Sequence, residues 1–209
     1  MIIQGQVGSI TSPIAPGSNP PIRQGQLGDV IVSELHGRYY ETAYRRNMFT
    51  ATLTAGTTTS AASTTTFTGL ALYNPTYSTV NLVINKVGMS FIVAFAAGSA
   101  FGLQTGISQS PISTATTTNT SVAGQYVGQP AGQAVAYSSA TLTATPIVRT
   151  IFGSGLTGAI TTTPFITNFF DMEGSIIVPP GGFVATYTST ASGTSGTFAS
   201  FQYEEVPIV

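Results

Sequence analysis

The chain has 209 residues, of which six are basic, seven acidic and one is histidine, for a net charge of −1. At 6% charged residues, against roughly 25% in an ordinary globular protein, it offers no basic footprint for nucleic acid. With no cysteine it has no disulfide framework, thiolate nucleophile or cysteine metal site.

Residues 1–28, "MIIQGQVGSITSPIAPGSNPPIRQGQLG", open the chain with Pro13, Pro16, Pro20 and Pro21 in a Gln/Gly/Ser background. The segment has neither the basic start nor the apolar core of a signal peptide, and too little apolar surface and too few backbone donors to fold on itself. It reads as a flexible leader or as an extended arm, with Ile2, Ile3, Ile10, Ile14 and Ile22 spaced along it like pegs for a neighbour. Residues 29–209 read as one domain, long enough to bury a continuous core.

The stretch 34–47, "ELHGRYYETAYRRN", holds most of the local charge: six of the thirteen formal charges lie between Asp29 and Arg46, with the lone histidine, His36. The four-residue spacings of Glu34 with Arg38 and Glu41 with Arg45 suit a helix. Gly37 and the adjacent Tyr39 and Tyr40 favour extended structure, and that is the expectation here. "MFTATLT" (48–54) is a strand.

Thereafter short strands alternate with turns. In "TTTFTGLALYNP" (64–75), Phe67, Gly69, Ala71 and Tyr73 alternate with Leu70 and Leu72 before Asn74-Pro75 stops the strand. "TVNLVINKVGMSFIVAFA" (79–96) carries Lys86, the only lysine. The apolar run 87–103 is too short and too interrupted by Gly and Ser for the roughly 20 residues of a membrane helix; it reads as a buried strand or strand pair. Residues 104–133 look like a long surface excursion, of a kind that is often functional, and 134–155 resume the strand pattern. In 170–209, Pro179 and Pro180 end one strand, while Gly181 and Gly182 supply the positive φ of a reversal. With 34 Thr and 21 Ser, whose side chains resist helix interiors, about eight strand candidates give an all-β fold. An antiparallel β-sandwich of jelly-roll type, with the extended N-terminal arm, is expected. So uncharged a surface invites burial against copies of itself or partners.

The segments "HGRYYETAYRRNMFTA" (36–51), "FTGLALYNP" (67–75), "VNLVINKVGMSF" (80–91), "DMEGSIIVPPGGFVATYT" (171–188) and "FQYEEVPIV" (201–209) together resemble structural proteins of tailed bacteriophages: jelly-roll capsid decoration, cement or knob proteins, and tail or fibre modules. Tyr203 stands where the resemblance leads one to expect a Trp, which keeps an aromatic anchor. The resemblance implies a non-enzymatic virion protein that forms a homo-oligomer, a trimer about a threefold, and contacts the major capsid or other virion proteins.

The residues offer little catalytic chemistry. Ser33, His36 and Asp29 compose a triad only on paper, since closeness in sequence gives no triad geometry and no nucleophile elbow is present. One histidine argues against a zinc site. Asp171 and Glu173, or Glu204 and Glu205, would serve as paired carboxylates, and the first pair as calcium ligands, but in a chain so short of charge they are better read as partners for Arg45, Arg46, Arg149 or Lys86. No cofactor, metal, nucleic-acid or membrane partner is expected. A glycan held by the Ser/Thr/Gly loops, above all 104–133, is the competing binding function. The candidate interface is Glu34, His36, Arg38, Tyr39, Tyr40, Glu41, Arg45 and Arg46, because fixed charge pairs orient partners and reject wrong ones.

Overall fold

The structure is a computed structural model and describes residues 5–6, 22–23, 37–95, 97–107, 112–142, 144–155 and 166–208. The chain divides into two units, Met1–Tyr40 and Glu41–Val209. In the first, β1 (Gly5–Gln6) and β2 (Ile22–Arg23) pair in parallel. The leader, expected not to fold on itself, thus pairs with itself at one point; the rest of the expected arm lies outside the described residues.

A short helix, α1 (Tyr40–Tyr44), follows along the chain, where extended structure was expected. The helical spacing prevails because this turn can be closed at both ends of its ion pair. Glu41 and Arg45 bridge one turn, and Arg46, in the left-handed region at φ 64°, ends the helix. The Arg46 amide donates to the Ala43 carbonyl and the Asn47 amide to that of Thr42, the reciprocal pattern that satisfies terminal carbonyls.

Eleven strands follow in two sheets: β3 (Met48–Leu53), β4 (Thr66–Tyr73), β5 (Val80–Phe91), β6 (Ser99–Ile107), β7 (Ser113–Thr116), β8 (Thr120–Gly124), β9 (Val135–Thr141), β10 (Ile147–Gly155), β11 (Ile166–Val178), β12 (Gly182–Thr188) and β13 (Thr197–Pro207). One sheet has the order β10-β6-β12-β4-β9-β7 and the other β11-β5-β13-β3-β8. Every pairing within them is antiparallel, and the sheets pack face to face as a β-sandwich. The apolar run 87–103 is a strand pair, the end of β5 and the start of β6. The described part of the excursion 104–133 is about half strand: it contains the end of β6 and all of β7 and β8, rich in Ser and Thr residues too small to announce a strand by hydrophobic alternation.

The core between the sheets takes alternate residues of the long strands, among them Leu82, Ile84, Val87 and Met89 from β5 and Phe201 and Tyr203 from β13. Phe49 stacks on Tyr203, its cross-strand partner, at 5.7 Å, and Phe91 meets Phe101 edge-on at 5.2 Å. Tyr203 is therefore a core anchor. Strand β4 is buried on both faces. Leu70 and Leu72 enter the main core, while Phe67, Ala71 and Tyr73 form a second cluster with Phe183 and Leu142, joined by Ile112 from just before β7. In the turn after β11 only Gly181 takes a positive φ, 79°. Gly182, also expected there, is instead a close-approach site: a Cβ on it would stand 2.9 Å from the Pro179 carbonyl oxygen.

Candidate assembly interface

Of the eight residues expected to grip a partner, Glu34 and His36 lie outside the described residues. In the first unit, the Arg38 guanidinium lies over the Tyr39 ring, 5.4 Å from its centroid. Glu41 and Arg45 meet at 2.7 Å, both largely exposed, a contact within one helix turn that contributes at most about 0.5 kcal/mol. Arg46 reaches into the excursion. Its guanidinium lies 4.9 Å from the centroid of Tyr126, and its carbonyl accepts from Gln129 Nε2 at 3.2 Å. On β11, Asp171 stands opposite Lys86, one of the cations expected to face it, and accepts from the Glu173 amide at 3.0 Å. Among the described residues no three His, Cys, Asp or Glu side chains gather where they could hold a metal ion, and no helix is long and apolar enough to cross a membrane.

A different surface gathers exposed aliphatic side chains. At the side of the sandwich where edge strands β10 and β11 run, Ile107, Ile147, Ile151 and Ile177 are all more than half exposed. Three of them line a cleft of about 450 Å³ with Ile176, Pro179 and Arg149, and Arg149 is held there by donating from Nε to Thr105 Oγ1 at 2.8 Å. The two edges are joined beneath by Phe152 stacked on Phe170 at 3.9 Å. Single exposed aliphatics are ordinary, but a group of them rimmed by polar residues marks an interaction surface. A signal for it was present in "PIVRTIF" (146–152), where both alternating sets of the strand carry apolar residues and only one can face the core.

Glu205, expected to partner one of the chain's few cations, is held by two backbone amides. It is 8% exposed, and its Oε1 accepts from the amides of Gln133 at 2.7 Å and Ala134 at 3.1 Å. It ties the approach to β9 to the end of β13, and Gly132 is required beside it, because a Cβ there would stand 2.4 Å from that oxygen. Burial raises its pKa above the ordinary value, and the amides of Ala134 and Gln133 oppose this only in part; burial also raises that of Glu204. The folded state therefore binds these protons more tightly than the unfolded chain. Their contribution to stability is full below the unfolded carboxyl value of 4.5 and is lost as pH rises through the folded-state value. Glu205→Gln keeps an acceptor for both amides and removes the charge. It is expected to be at least as stable as the parent at neutral pH and to flatten the fall in stability between pH of about 4 and 7, as followed by thermal unfolding.

The fold is an all-β sandwich of two antiparallel sheets with an exposed aliphatic cleft along one pair of sheet edges. Compared with models of protein families, with curated proteins and with solved structures, the chain matches none.

Proposed function

We propose that the chain is a non-enzymatic structural protein of a tailed-bacteriophage virion, a jelly-roll sandwich that assembles as a trimer and decorates or cements the capsid. The strand order supports the jelly roll. With β3, β4, β5, β6, β10, β11, β12 and β13 taken as strands one to eight, the first pairs with the eighth, the second with the seventh, the third with the sixth and the fourth with the fifth. That is the pairing of one long antiparallel ribbon wound into two four-stranded sheets. Strands β7, β8 and β9 are then an insertion between the fourth and fifth strands, widening both sheets at the opposite edge.

The observation that carries the assembly is the exposed aliphatic cleft at β6, β10 and β11, in a chain whose 6% charge gives little repulsion against association. Copies of the chain are its first partners, and the major capsid protein or another virion protein the second; a tail or fibre position would use the same face. Light scattering after size exclusion is expected to return three times the 21.5 kDa chain mass, and the protein to bind purified particles. Ile147→Asp combined with Ile177→Asp removes two side chains each worth about 1.5–3 kcal/mol on burial. It is expected to weaken self-association roughly a hundredfold or more while leaving the fold intact. A monomeric parent that ignores particles would overturn the proposal.

A further inference from the structure

The outward face of the five-stranded sheet holds a second, chemically different site. Phe169, Gly88, Ser200 and Thr52 are successive cross-strand partners, and Asp171, Lys86, Gln202 and Thr50 form the neighbouring row on the same face. The Phe169 ring is 64% exposed and leans over Gly88: a Cβ on that glycine would lie 3.4 Å from the ring's Cδ2. Lys86 Nζ lies over the ring, 5.6 Å from its centroid, and leaves most of the phenylalanine side chain open to solvent. A cleft of about 240 Å³ opens beside it, lined by Phe169, Thr50, Ser200, Gln202, Lys86 and Gln125. Two of its amides are fixed in place. Gln202 donates to the Met48 sulfur at 3.2 Å, and Gln125, just after β8, donates to Thr50 Oγ1.

From this geometry we infer that the face binds a glycan through a neutral pyranose unit stacked on Phe169. The cleft combines one aromatic ring with hydroxyl and amide groups, the combination a sugar ring needs. The ring's negative face attracts the partially positive C–H face of a pyranose, and the amides and hydroxyls around it match the sugar's alternating donors and acceptors. Lys86 and Asp171, opposite each other in the ladder, balance the local charge, so neither an anionic nor a cationic unit is favoured. The size suits one sugar ring, below the span of a drug-sized pocket. The site draws Gln125 from the strand-rich excursion 104–133 but otherwise rests on the sheet, and it does not depend on the virion assignment.

The full chain is tested on an array of immobilised neutral and acidic oligosaccharides, and the best neutral binder is then titrated by calorimetry. Neutral glycans are expected to be retained. Phe169→Ala is expected to weaken binding at least tenfold and Gln202→Ala severalfold, with the melting temperature of Phe169→Ala unchanged because the ring lies outside the core. Ile147→Asp with Ile177→Asp is expected to bind one glycan unit per chain as the parent does. Retention of no glycan, retention of acidic glycans alone, or a Phe169→Ala variant that binds like the parent would overturn the inference. A parent chain that is monomeric and ignores particles yet binds glycan would overturn the capsid assignment and leave this site standing.

Discussion

Replacing Asn74 by aspartate is expected to cost about 3–5 kcal/mol of stability at neutral pH, the range for a buried charge left without a partner. Asn74 is fully buried at the end of β4, and its Nδ2 donates to the carbonyls of Val80 at 2.8 Å and Val178 at 3.0 Å. Its own amide donates to the Gly182 carbonyl, and its carbonyl accepts from Gly181. One residue thus ties the end of β4 to the start of β5, the end of β11 and the turn before β12. Aspartate has the same shape, but it turns both donor contacts into carboxylate against carbonyl. The folded variant therefore favours the protonated acid, which restores one donor, and its stability should rise as pH falls. Asn74→Ala removes both donor contacts without adding charge, and the Val80 carbonyl still accepts from Ser78 Oγ at 3.3 Å, so it should cost less, about 1–3 kcal/mol. Chemical denaturation at pH of about 4 and 7 separates the three proteins. Equal stability of Asn74→Asp and the parent at neutral pH would mean that the side-chain amide does not donate to these carbonyls.

Gly102→Ala is expected to detach β10 from the six-stranded sheet and to abolish self-association with it. Gly102 faces Ile151 across the β6–β10 ladder. A Cβ at this position would stand 1.9 Å from the Thr150 carbonyl oxygen and 2.9 Å from Ile151 Cα. Both obstacles are backbone, so no side-chain rotation relieves them, and β10 must move away or lose its pairing. Crowding of this kind costs about 1–3 kcal/mol, occasionally more. Because β10 is an edge strand, the damage should stay local. Hydrogen exchange is expected to lose protection in β10 while β13 and β5 keep theirs, and light scattering should show a smaller species, since Ile147 and Ile151 leave their places. Unchanged protection in β10 would refute the close approach.

Several elements could be read from neighbouring residues alone. Strand β3 and Gly181 in its turn follow from local alternation and from punctuation by Gly and Pro, which act within a few residues, while 87–103 stayed open between one strand and two. The face of α1 was legible as the Glu41–Arg45 spacing, yet the choice between helix and strand was not. It fell to the pair of hydrogen bonds that close around Arg46, an arginine in a conformation no sequence rule assigns to it. The role of Glu205 was hidden for a related reason. Its amide partners, Gln133 and Ala134, lie some seventy residues away, and only the ladder between β13 and its neighbours brings them together.

The functional surfaces divide in the same way. Scarcity of charge and abundance of Thr and Ser were enough to mark an all-β chain with little charge to repel other copies, because composition sets both strand preference and repulsion. Which surface carries the exposed isoleucines was decided only when β10 and β11 became edge strands. An isoleucine in an alternating strand is core or exposed according to what covers its face, and that cover comes from segments far away in sequence. Phe67 lies under Ile112 and is buried; Phe169, over Gly88 and beside Lys86, is not. Local pattern gives the period of a strand, while the packing of distant strands decides which side of it meets water.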